Sequence, residues 1–443
     1  MTTVKKIQCV DQVARWRLCA GCGACAAACP NHAIRLVDIF DRGIRPIVDP
    51  VKCRKCGGCV EVCPGIGITH QSFNNRSVPE LLCEWGPVLE VWEGFAADPQ
   101  IRYTGSSGGA ATALALFCLD KQQASGVLHI GTSPGAPLEN IAVLSTSKAE
   151  LLGRTGSRYS PAAPCEKLDW IVKSKSPSVF IGKPCDVAAL RKSQAVNPLL
   201  DKNVSLAISI FCAGTPATEG TYKILSSLGV KPEQTEQLRY RGCGWPGATT
   251  VKIKDDDGQK RQISYEESWG NILSHFGQYR CRICPDSTGE FADISCGDPW
   301  YRVLKGNEQG WSLVVVRTER GKEILHKAIK AGYINLERVE SDKIPQSQKA
   351  LLVRRRHLWG RLLMMRTMGI PVPRYTGFFL CRSWLRLSFK EKLRCLAGTL
   401  KRIMLRGWMR PLKSRIKTDT LHDITDTKKP MINIEEYESQ CKM

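Results

Sequence analysis

Two runs of cysteines near the start of the chain have the spacing of iron–sulfur ligands. Each run reads C-x2-C-x2-C-x3-C-P, first from Cys19 and again from Cys53. In proteins with this pattern the first three thiolates of a run bind one cluster, and the fourth binds the other cluster. Zinc favours paired C-x2-C knuckles over such a run. The pattern predicts two 4Fe-4S clusters, one with the ligands Cys19, Cys22, Cys25 and Cys63 and the other with Cys53, Cys56, Cys59 and Cys29.

Composition limits where the protein works. The chain has 443 residues and 21 cysteines, and the cysteines outside the two runs are scattered, as thiols of a reducing compartment are. The first 18 residues contain no long apolar segment, and no run of about 18 apolar residues follows. We therefore expect a cytoplasmic protein that is at most peripheral on the inner face of the membrane.

The net charge of +22 comes largely from one segment. Residues 354–418 hold 18 Lys or Arg residues and one acid, Glu391. Nucleic-acid binding is not expected, because no nucleic-acid-binding motif accompanies the charge. Within the segment an apolar stripe predicts a helix that either lies in a membrane interface, through residues 380–410, or packs on the α/β domain or a partner subunit. The stripe consists of Leu385, Phe389, Leu393, Leu396, Leu400, Met404 and Trp408.

We divide the chain into four segments. Residues 1–80 form the two-cluster module, with the ligand pattern of a bacterial-type ferredoxin. Residues 85–345 alternate short apolar runs with amphipathic helices, which indicates an α/β domain around a central sheet. Residues 346–418 form the basic helical extension, and residues 419–443 form a polar tail that we expect to be disordered. The expected fold class is α/β (α+β), with central strands predicted at 88–96, 127–131, 141–145, 179–182, 204–212, 249–253, 262–265, 292–295 and 311–317.

Several short motifs in the central segment have residue types suited to chemistry. A Gly/Ser turn at 102–112 opens a predicted helix and offers backbone N–H groups to a phosphate, although an ordinary loop before a helix has the same composition. Cys185 and Cys212 each follow a predicted strand, and Cys281 and Cys284 form a C-x2-C pair. Four such thiolates would bind a third cluster, but lone cysteines at strand ends are also common as small buried hydrophobic residues.

In combination, the motifs of residues 88–338 resemble those of coenzyme F420 hydrogenase/dehydrogenase beta subunits. The resemblance rests on Gly-Ser-Ser-Gly-Gly, Gly-Lys-Pro-Cys-Asp, Phe-Cys-Ala-Gly, Cys-Arg-Ile-Cys-Pro-Asp and Ala-Asp-Ile-Ser-x-Gly-Asp, in the family's order. It implies an α/β flavin-binding domain with FAD and a third 4Fe-4S cluster on Cys185, Cys212, Cys281 and Cys284, with Cys243 or Cys296 as a replacement for one of them. It also implies that the flavin site is lined by Ser106, Ser107, Gly108, Gly109, Arg158 and Tyr159.

This resemblance implies an oxidoreductase. Deazaflavins and nicotinamides exchange hydride, iron–sulfur clusters pass single electrons, and FAD does both. We therefore expect an iron–sulfur flavoprotein that passes electrons between a ferredoxin-type redox partner and coenzyme F420 or another hydride carrier. Lys183 is a candidate for charge near the flavin, and His275 is a candidate for proton transfer to a substrate. Two alternatives remain open: an electron-transfer subunit with no soluble substrate of its own, or a reductase of a biosynthetic intermediate.

Overall fold

The computed structural model describes residues 7–70, 76–254, 258–302 and 309–412. The predicted tail at 419–443 lies outside the described residues.

The N-terminal module is built on two short helices that carry the cysteine runs. Its elements are α1 (Val10–Arg15), α2 (Ala24–Ala27), β1 (Ile34–Ile39), β2 (Gly43–Val48), α3 (Gly58–Glu61) and β3 (Gly67–Thr69). Gly23 precedes α2 and Gly57 precedes α3, with φ of 90° and 84°. Other residues are strained in this left-handed region, so glycine permits the same turn before each helix. The antiparallel hairpin of β1 and β2 lies between the two repeats.

A mixed sheet of eight strands forms the centre of the α/β segment. Its strands are β4 (Glu90–Ala96), β5 (Val127–Ser133), β6 (Ala136–Ser145), β7 (Ser178–Gly182), β8 (Val204–Ile210), β12 (Ile294–Gly297), β13 (Ser312–Val316) and β14 (Ile334–Arg338). They are ordered β14-β4-β13-β12-β8-β7-β5-β6. The four neighbours β12, β8, β7 and β5 run parallel, and the outer pairings are antiparallel. The carboxyl ends of the parallel strands therefore share one edge, where open α/β sheets bind their ligands.

Helices cover both faces of this sheet. The helices of the α/β segment are α4 (Pro79–Trp85), α5 (Pro99–Thr104), α6 (Ala110–Lys121), α7 (Lys148–Leu152), α8 (Leu168–Val172), α9 (Pro184–Gln194), α10 (Pro198–Lys202), α11 (Thr218–Ser227), α12 (Tyr279–Arg282), α13 (Glu319–Lys330) and α14 (Lys343–Ser347). On one face α6 and α13 pack against Leu206 and Ile208. On the other face α8 and α9 pack against Phe180, together with Ala24 and Val62 of the cysteine module. The cysteine module therefore packs on the sheet beside α9.

A smaller sheet packs against α11. Its antiparallel strands are β9 (Thr235–Arg239), β10 (Thr249–Ile253) and β11 (Lys260–Ile263), in the order β11-β10-β9. Ile224 and Leu225 of α11 share a core with Leu238, Tyr240 and Val251. Short 3-10 helices lie at Pro164–Lys167, Pro232–Gln234 and Leu273–Phe276, and a π-helix lies at Glu266–Ile272.

The C-terminal helices close over the cysteine module. They are α15 (Lys349–Thr367), α16 (Leu380–Leu385) and α17 (Phe389–Leu405), with the short strand β15 (Arg374–Thr376) before α16. Leu358 and Leu362 of α15 share a core with Leu18 and Ile68 of the module. β15 pairs in parallel with β3, and the Leu412 N–H donates to the Arg15 carbonyl at 2.9 Å. The first and last described parts of the chain therefore form one packed unit.

The α/β fold class is confirmed, and each predicted central strand overlaps an observed one. The strands β9 and β14, at the edges of their sheets, were not predicted. Only Thr235 and Leu238 are buried in β9 and only Ile334 in β14, and both strands carry exposed charged or amide side chains. These two strands therefore lack the apolar run that marks the central strands.

The central sheet generates a stability prediction. Leu206 in β8 is fully buried, and Leu206→Ala should lower the free energy of unfolding by about 2–5 kcal/mol, because it removes apolar contacts and leaves a cavity. Leu199→Ala is the matched control, since that leucine is 58% exposed. Thermal unfolding of the anaerobic protein, followed by circular dichroism, would measure both. Equal melting temperatures for the two variants would contradict the packing described.

Candidate redox sites

Four cysteines from both runs line one cavity in the N-terminal module, which we name the first-cluster cavity. They are Cys19, Cys22, Cys25 and Cys63, and all are buried. The apolar wall includes Val10, Val13 and Leu36. Burial, together with the neighbouring thiols of Cys19 and Cys22, raises the pKa of Cys63 to about 12. The cavity brings together the four residues assigned above to one cluster, including the fourth cysteine of the opposite run.

The cysteines assigned to the other cluster lie nearer the surface. Cys56 is exposed, and Cys29, Cys53 and Cys59 are half-buried. The Ala33 N–H donates to the Cys29 sulfur at 3.3 Å. Cys9, which the sequence did not single out, lies beside Cys59, and a hydrogen bond from that thiol lowers the pKa of Cys9 to about 6. Cys9 is a lone cysteine before a helix and belongs to no motif, so its proximity to Cys59 is apparent only from the fold.

A second group of thiols, the thiol quartet, forms at the carboxyl edge of the parallel strands. Its members are Cys185 at the start of α9, Cys212 after β8, Cys281 in α12 and Cys284 just after it. Burial, together with the nearby thiols of Cys281 and Cys284, raises the pKa of Cys212 to about 12. Burial also raises the pKa of Cys185, with contributions from Cys212 and Cys284. The structure therefore brings together four cysteines that are separated by up to a hundred residues in the sequence.

Two cations, one half-buried and one buried, accompany the thiol quartet. Lys183 pairs with Asp186 at 2.8 Å; burial opposes its charge, but Asp186 and the Cys185 thiol hold its pKa above the usual value. Arg280 is 3% exposed and donates from Nη2 to the Pro64 carbonyl at 3.2 Å. Its Nε is buried and has no hydrogen-bond partner among the described residues. Positive charge is therefore buried beside the sulfur atoms.

The thiol quartet and the first-cluster cavity are adjacent. The Cys22 thiol is hydrogen-bonded to the thiol of Cys165, and the Cys165 Sγ donates to the Asp186 carbonyl at 3.3 Å. On another side, Arg280 lies near both Cys284 and Cys19, the pKa of which is raised by burial. Cys165 was not singled out from the sequence, because it has no motif around it.

The two cysteines considered as substitutes in the thiol quartet lie elsewhere. Cys243 is exposed, and its N–H donates to the Tyr103 carbonyl at 2.9 Å. Cys296 in β12 is buried in the apolar core against α6 and α13. Burial raises the pKa of Cys296 to about 12. Neither thiol lies with the other four.

The segments predicted to line a flavin site meet at the start of α6. The Ser157 N–H donates to the Ser106 Oγ, and the hydroxyls of Ser107 and Ser312 are 3.1 Å apart. Gly109 precedes α6 with φ of 77°, a conformation that favours glycine. A Cβ at Gly108 would lie 2.6 Å from the Gly94 carbonyl oxygen. We name residues 106–109 the flavin turn, after the ligand that the resemblance implies for it; a side chain at Gly108 would not fit there.

The other predicted site residues have different surroundings. Arg158 donates to the carbonyls of Leu238 at 3.2 Å and Pro137 at 2.9 Å, so its guanidinium is committed to the protein. Lys183 lies with the thiol quartet, as described above. His275 is exposed in the turn at Leu273–Phe276.

Tyr159 belongs to an aromatic cluster around a buried ion pair. Arg241 is 2% exposed and binds both carboxylate oxygens of Asp298, at 2.8 and 2.9 Å. Trp245 donates to the same carboxylate at 2.7 Å, and Trp300 stacks on Trp245 with a centroid separation of 5.7 Å. The sequence pointed to Asp298, because this residue ends one of the motifs, but it did not identify Arg241 as the partner of Asp298.

Among the described residues, no group of three or more His, Cys, Asp or Glu side chains is arranged to hold a single metal ion. No helix in this part of the chain is both long enough and apolar enough to cross a membrane.

Comparison with known proteins identifies first the module and then the family. Residues 18–65 match the model of the 4Fe-4S dicluster domain, so the N-terminal module is a 4Fe-4S domain, as predicted. Residues 91–168 match the N-terminal model of the coenzyme F420 hydrogenase/dehydrogenase beta subunit, and residues 177–342 match the C-terminal model. These two models together cover more than half of the chain. The chain belongs to the family of coenzyme F420 hydrogenase/dehydrogenase beta subunits, which confirms the resemblance.

Three relatives are named for oxidoreductases that use coenzyme F420. The F420-dependent formate dehydrogenase subunit beta of Methanocaldococcus jannaschii is 27% identical over 58% of this chain and 62% of the relative. The coenzyme F420 hydrogenase subunit beta of Methanococcus voltae is 26% identical over 63% of this chain and 95% of the relative. The coenzyme F420-dependent sulfite reductase of M. jannaschii is 25% identical over 73% of this chain and 48% of the relative.

One solved structure is also similar. A chain of the F420-reducing nickel–iron hydrogenase complex from Methanosarcina barkeri matches with 21% identity and a TM-score of 0.47. The match covers 64% of this chain and 96% of that chain, and at this TM-score it supports no argument about the site.

The first-cluster cavity generates a prediction for the iron content. Cys63→Ser should remove one cluster, about four irons per chain, because it deletes a ligand supplied by the opposite run. Cys118→Ser is the control, since Cys118 is a buried thiol of the α6 core. Iron analysis and electron paramagnetic resonance of the anaerobically purified variants would measure the effect. Equal iron loss in the two variants would show that burial of a thiol, and not ligation, determines the iron content.

Proposed function

We propose that the protein is an iron–sulfur flavoprotein oxidoreductase. It passes electrons between a ferredoxin-type redox protein and a hydride carrier, coenzyme F420 or one of similar chemistry. The two clusters of the dicluster domain, a third 4Fe-4S cluster on the thiol quartet and FAD at the flavin turn would serve this transfer. The observation that carries the proposal is that Cys165 and Arg280 connect the first-cluster cavity to the segments of the thiol quartet.

The thiol quartet fits a 4Fe-4S cluster in its chemistry. Four cysteine thiolates are the usual ligand set of such a cluster. A cluster with four thiolates carries net negative charge, which is costly to bury unless cations lie near it. Arg280 is buried and Lys183 is half-buried at this position, and the Thr215 N–H donates to the Cys281 sulfur at 3.4 Å. Hydrogen bonds to sulfur and nearby charge are also the means by which proteins set cluster potentials.

The exposure of Cys56 and the contacts around the first-cluster cavity support an order of the three sites. Cys56 of the second cluster is exposed, whereas the cysteines of the first-cluster cavity are buried between the module and the sheet. Cys165 and Arg280 lie between that cavity and the thiol quartet. We infer that the second cluster exchanges electrons with a protein partner and that the thiol quartet lies on the side of the hydride carrier.

A flavin is required between one-electron and two-electron partners, and FAD supplies both kinds of transfer. The residues of this chain would bind its phosphates through the backbone N–H groups of the flavin turn at the start of α6. Arg158, whose donors are committed to carbonyl groups, would hold the lining segment in place. The family relatives named for coenzyme F420 support this carrier as the hydride partner.

The exposed loop of the second cluster has the charge of a docking surface for an acidic partner. Lys52, Arg54 and Lys55 are exposed on either side of Cys53, and Val51 beside them is 92% exposed. A basic surface accelerates association with an acidic protein by electrostatic steering. We name residues 51–56 the docking loop and infer that an acidic ferredoxin-type protein binds there.

The third cluster generates a prediction for cofactor content. The wild-type protein, purified anaerobically, should contain about twelve irons and one FAD, and Cys281→Ser should lower the iron content to about eight. Cys296→Ser is the matched control, because Cys296 is a core thiol. A wild-type content of about eight irons with no flavin would contradict the proposal. Turnover with reduced coenzyme F420 or NADH would support the enzyme, whereas cofactors without turnover would identify an electron-transfer subunit.

The docking loop generates a kinetic prediction. The triple variant Lys52→Glu, Arg54→Glu and Lys55→Glu should slow reduction by an acidic ferredoxin about tenfold or more at low salt, and the difference should shrink at high salt, because screening removes steering. Stopped-flow absorbance would measure the second-order rate constant. The control exchanges Lys202, Lys260 and Lys330, which are exposed elsewhere. Equal slowing in the variant and the control would rule out a specific loop.

A further inference from the structure

The apolar stripe predicted in the C-terminal segment lies mostly on the outside of α17. Phe389 is 76% exposed and Met404 is 59% exposed. The helix instead packs inward through Cys395, Thr399 and Ile403, spaced four residues apart. The apolar side chains exposed on α17 and next to its ends are Leu385, Phe389, Leu393, Leu400, Met404, Leu405 and Met409. We name this set the α17 face.

The α17 face is continuous rather than scattered. Phe389, Leu393, Leu400 and Met404 are separated by four, seven and four residues, which places them along one side of a helix. The inward residues of α17 lie on a different side and already have partners, since the Cys395 sulfur donates to the His357 carbonyl at 3.4 Å. Contiguous exposed apolar surface on a folded protein marks an interaction site.

The charged side chains around the α17 face are basic, except for a single acid. Lys390, Arg394 and Lys401 are exposed on the same helix. The one acid of α17, Glu391, accepts from the Ser388 N–H at 2.9 Å and so caps the helix. Long basic side chains beside an apolar face can extend to phosphate groups while their methylene chains stay on apolar surface.

From these observations we propose that the α17 face binds the surface of an anionic lipid bilayer, with the helix lying in the plane of the membrane. An amphipathic helix with Lys and Arg at the border of Leu, Phe and Met has the composition of an interfacial helix. An acidic protein groove would match the charge as well, but the row of Phe389, Leu393, Leu400 and Met404 along the helix, with basic side chains at its border, fits an extended lipid surface better. This contact is independent of the redox chemistry proposed above.

Co-sedimentation of the full-length protein with vesicles tests the proposal. The wild type should sediment with phosphatidylcholine vesicles that contain phosphatidylglycerol and much less with phosphatidylcholine alone. The double variant Phe389→Ser and Leu393→Ser should lose binding because it removes apolar insertion. Lys390→Gln, Arg394→Gln and Lys401→Gln should each lower partitioning about fivefold, since one basic residue near an anionic surface contributes about that factor. Leu199→Ser is the control for an exposed apolar residue elsewhere.

The outcomes separate the possible occupants of the α17 face. Binding that falls in the double variant but not in the Leu199 control supports the proposal, provided that both proteins keep the wild-type iron content and circular dichroism spectrum. Wild-type protein that stays in solution with both kinds of vesicle overturns it. A wild-type dimer in analytical ultracentrifugation that becomes a monomer in the double variant, without vesicle binding, assigns the face to a second copy and also overturns it.

Discussion

Burial of the Arg280 guanidinium is the interaction on which the arrangement of the redox sites depends. This side chain donates to the carbonyl of Pro64, directly after the last cysteine of the module. Burial opposes its charge, while Tyr375 and Cys284 hold its pKa above the usual value. It therefore contacts the N-terminal module, the thiol quartet and the C-terminal strand β15 at once. A buried cation without such partners would be expelled or would destabilise the fold, so these three parts have to be packed together.

The arginines of α15 make further contacts of this kind inside the fold, so part of the net positive charge has a structural role. Arg361 donates to the Arg282 carbonyl at 3.0 Å, and Arg355 pairs with Glu290 at 2.6 Å. His70 of the module lies 2.9 Å from the same carboxylate. Part of the basic segment is therefore structural, because its charges hold the loop of the thiol quartet. The exposed charges of α17 are of a different kind, and one figure for net charge combines the two.

The sequence predicted what depends on local spacing and missed what depends on topology. The ligand runs and the apolar runs of the central strands are local, and they identified the dicluster domain and the sheet. The first-cluster cavity also followed, because the position of Cys63 is fixed by a known pattern. Cys9 and Cys165 were missed because each is a lone cysteine whose neighbour, Cys59 or Cys22, is brought close only by folding. The spacing of the apolar stripe was correct for a helix, but periodicity alone does not tell which side is buried.

The cysteines of the first-cluster cavity are buried, those of the thiol quartet are half-buried, and the second cluster includes the exposed Cys56. This difference has an electrostatic consequence under the proposed function. Adding an electron to a cluster adds negative charge, which a buried site disfavours more than an exposed one. Without compensation, electrons would remain on the exposed second cluster. Lys183 and Arg280 lie beside the thiol quartet, and positive charge there lowers the cost of reduction. Under the proposed function, these two cations would therefore favour electron transfer through the interior in either direction.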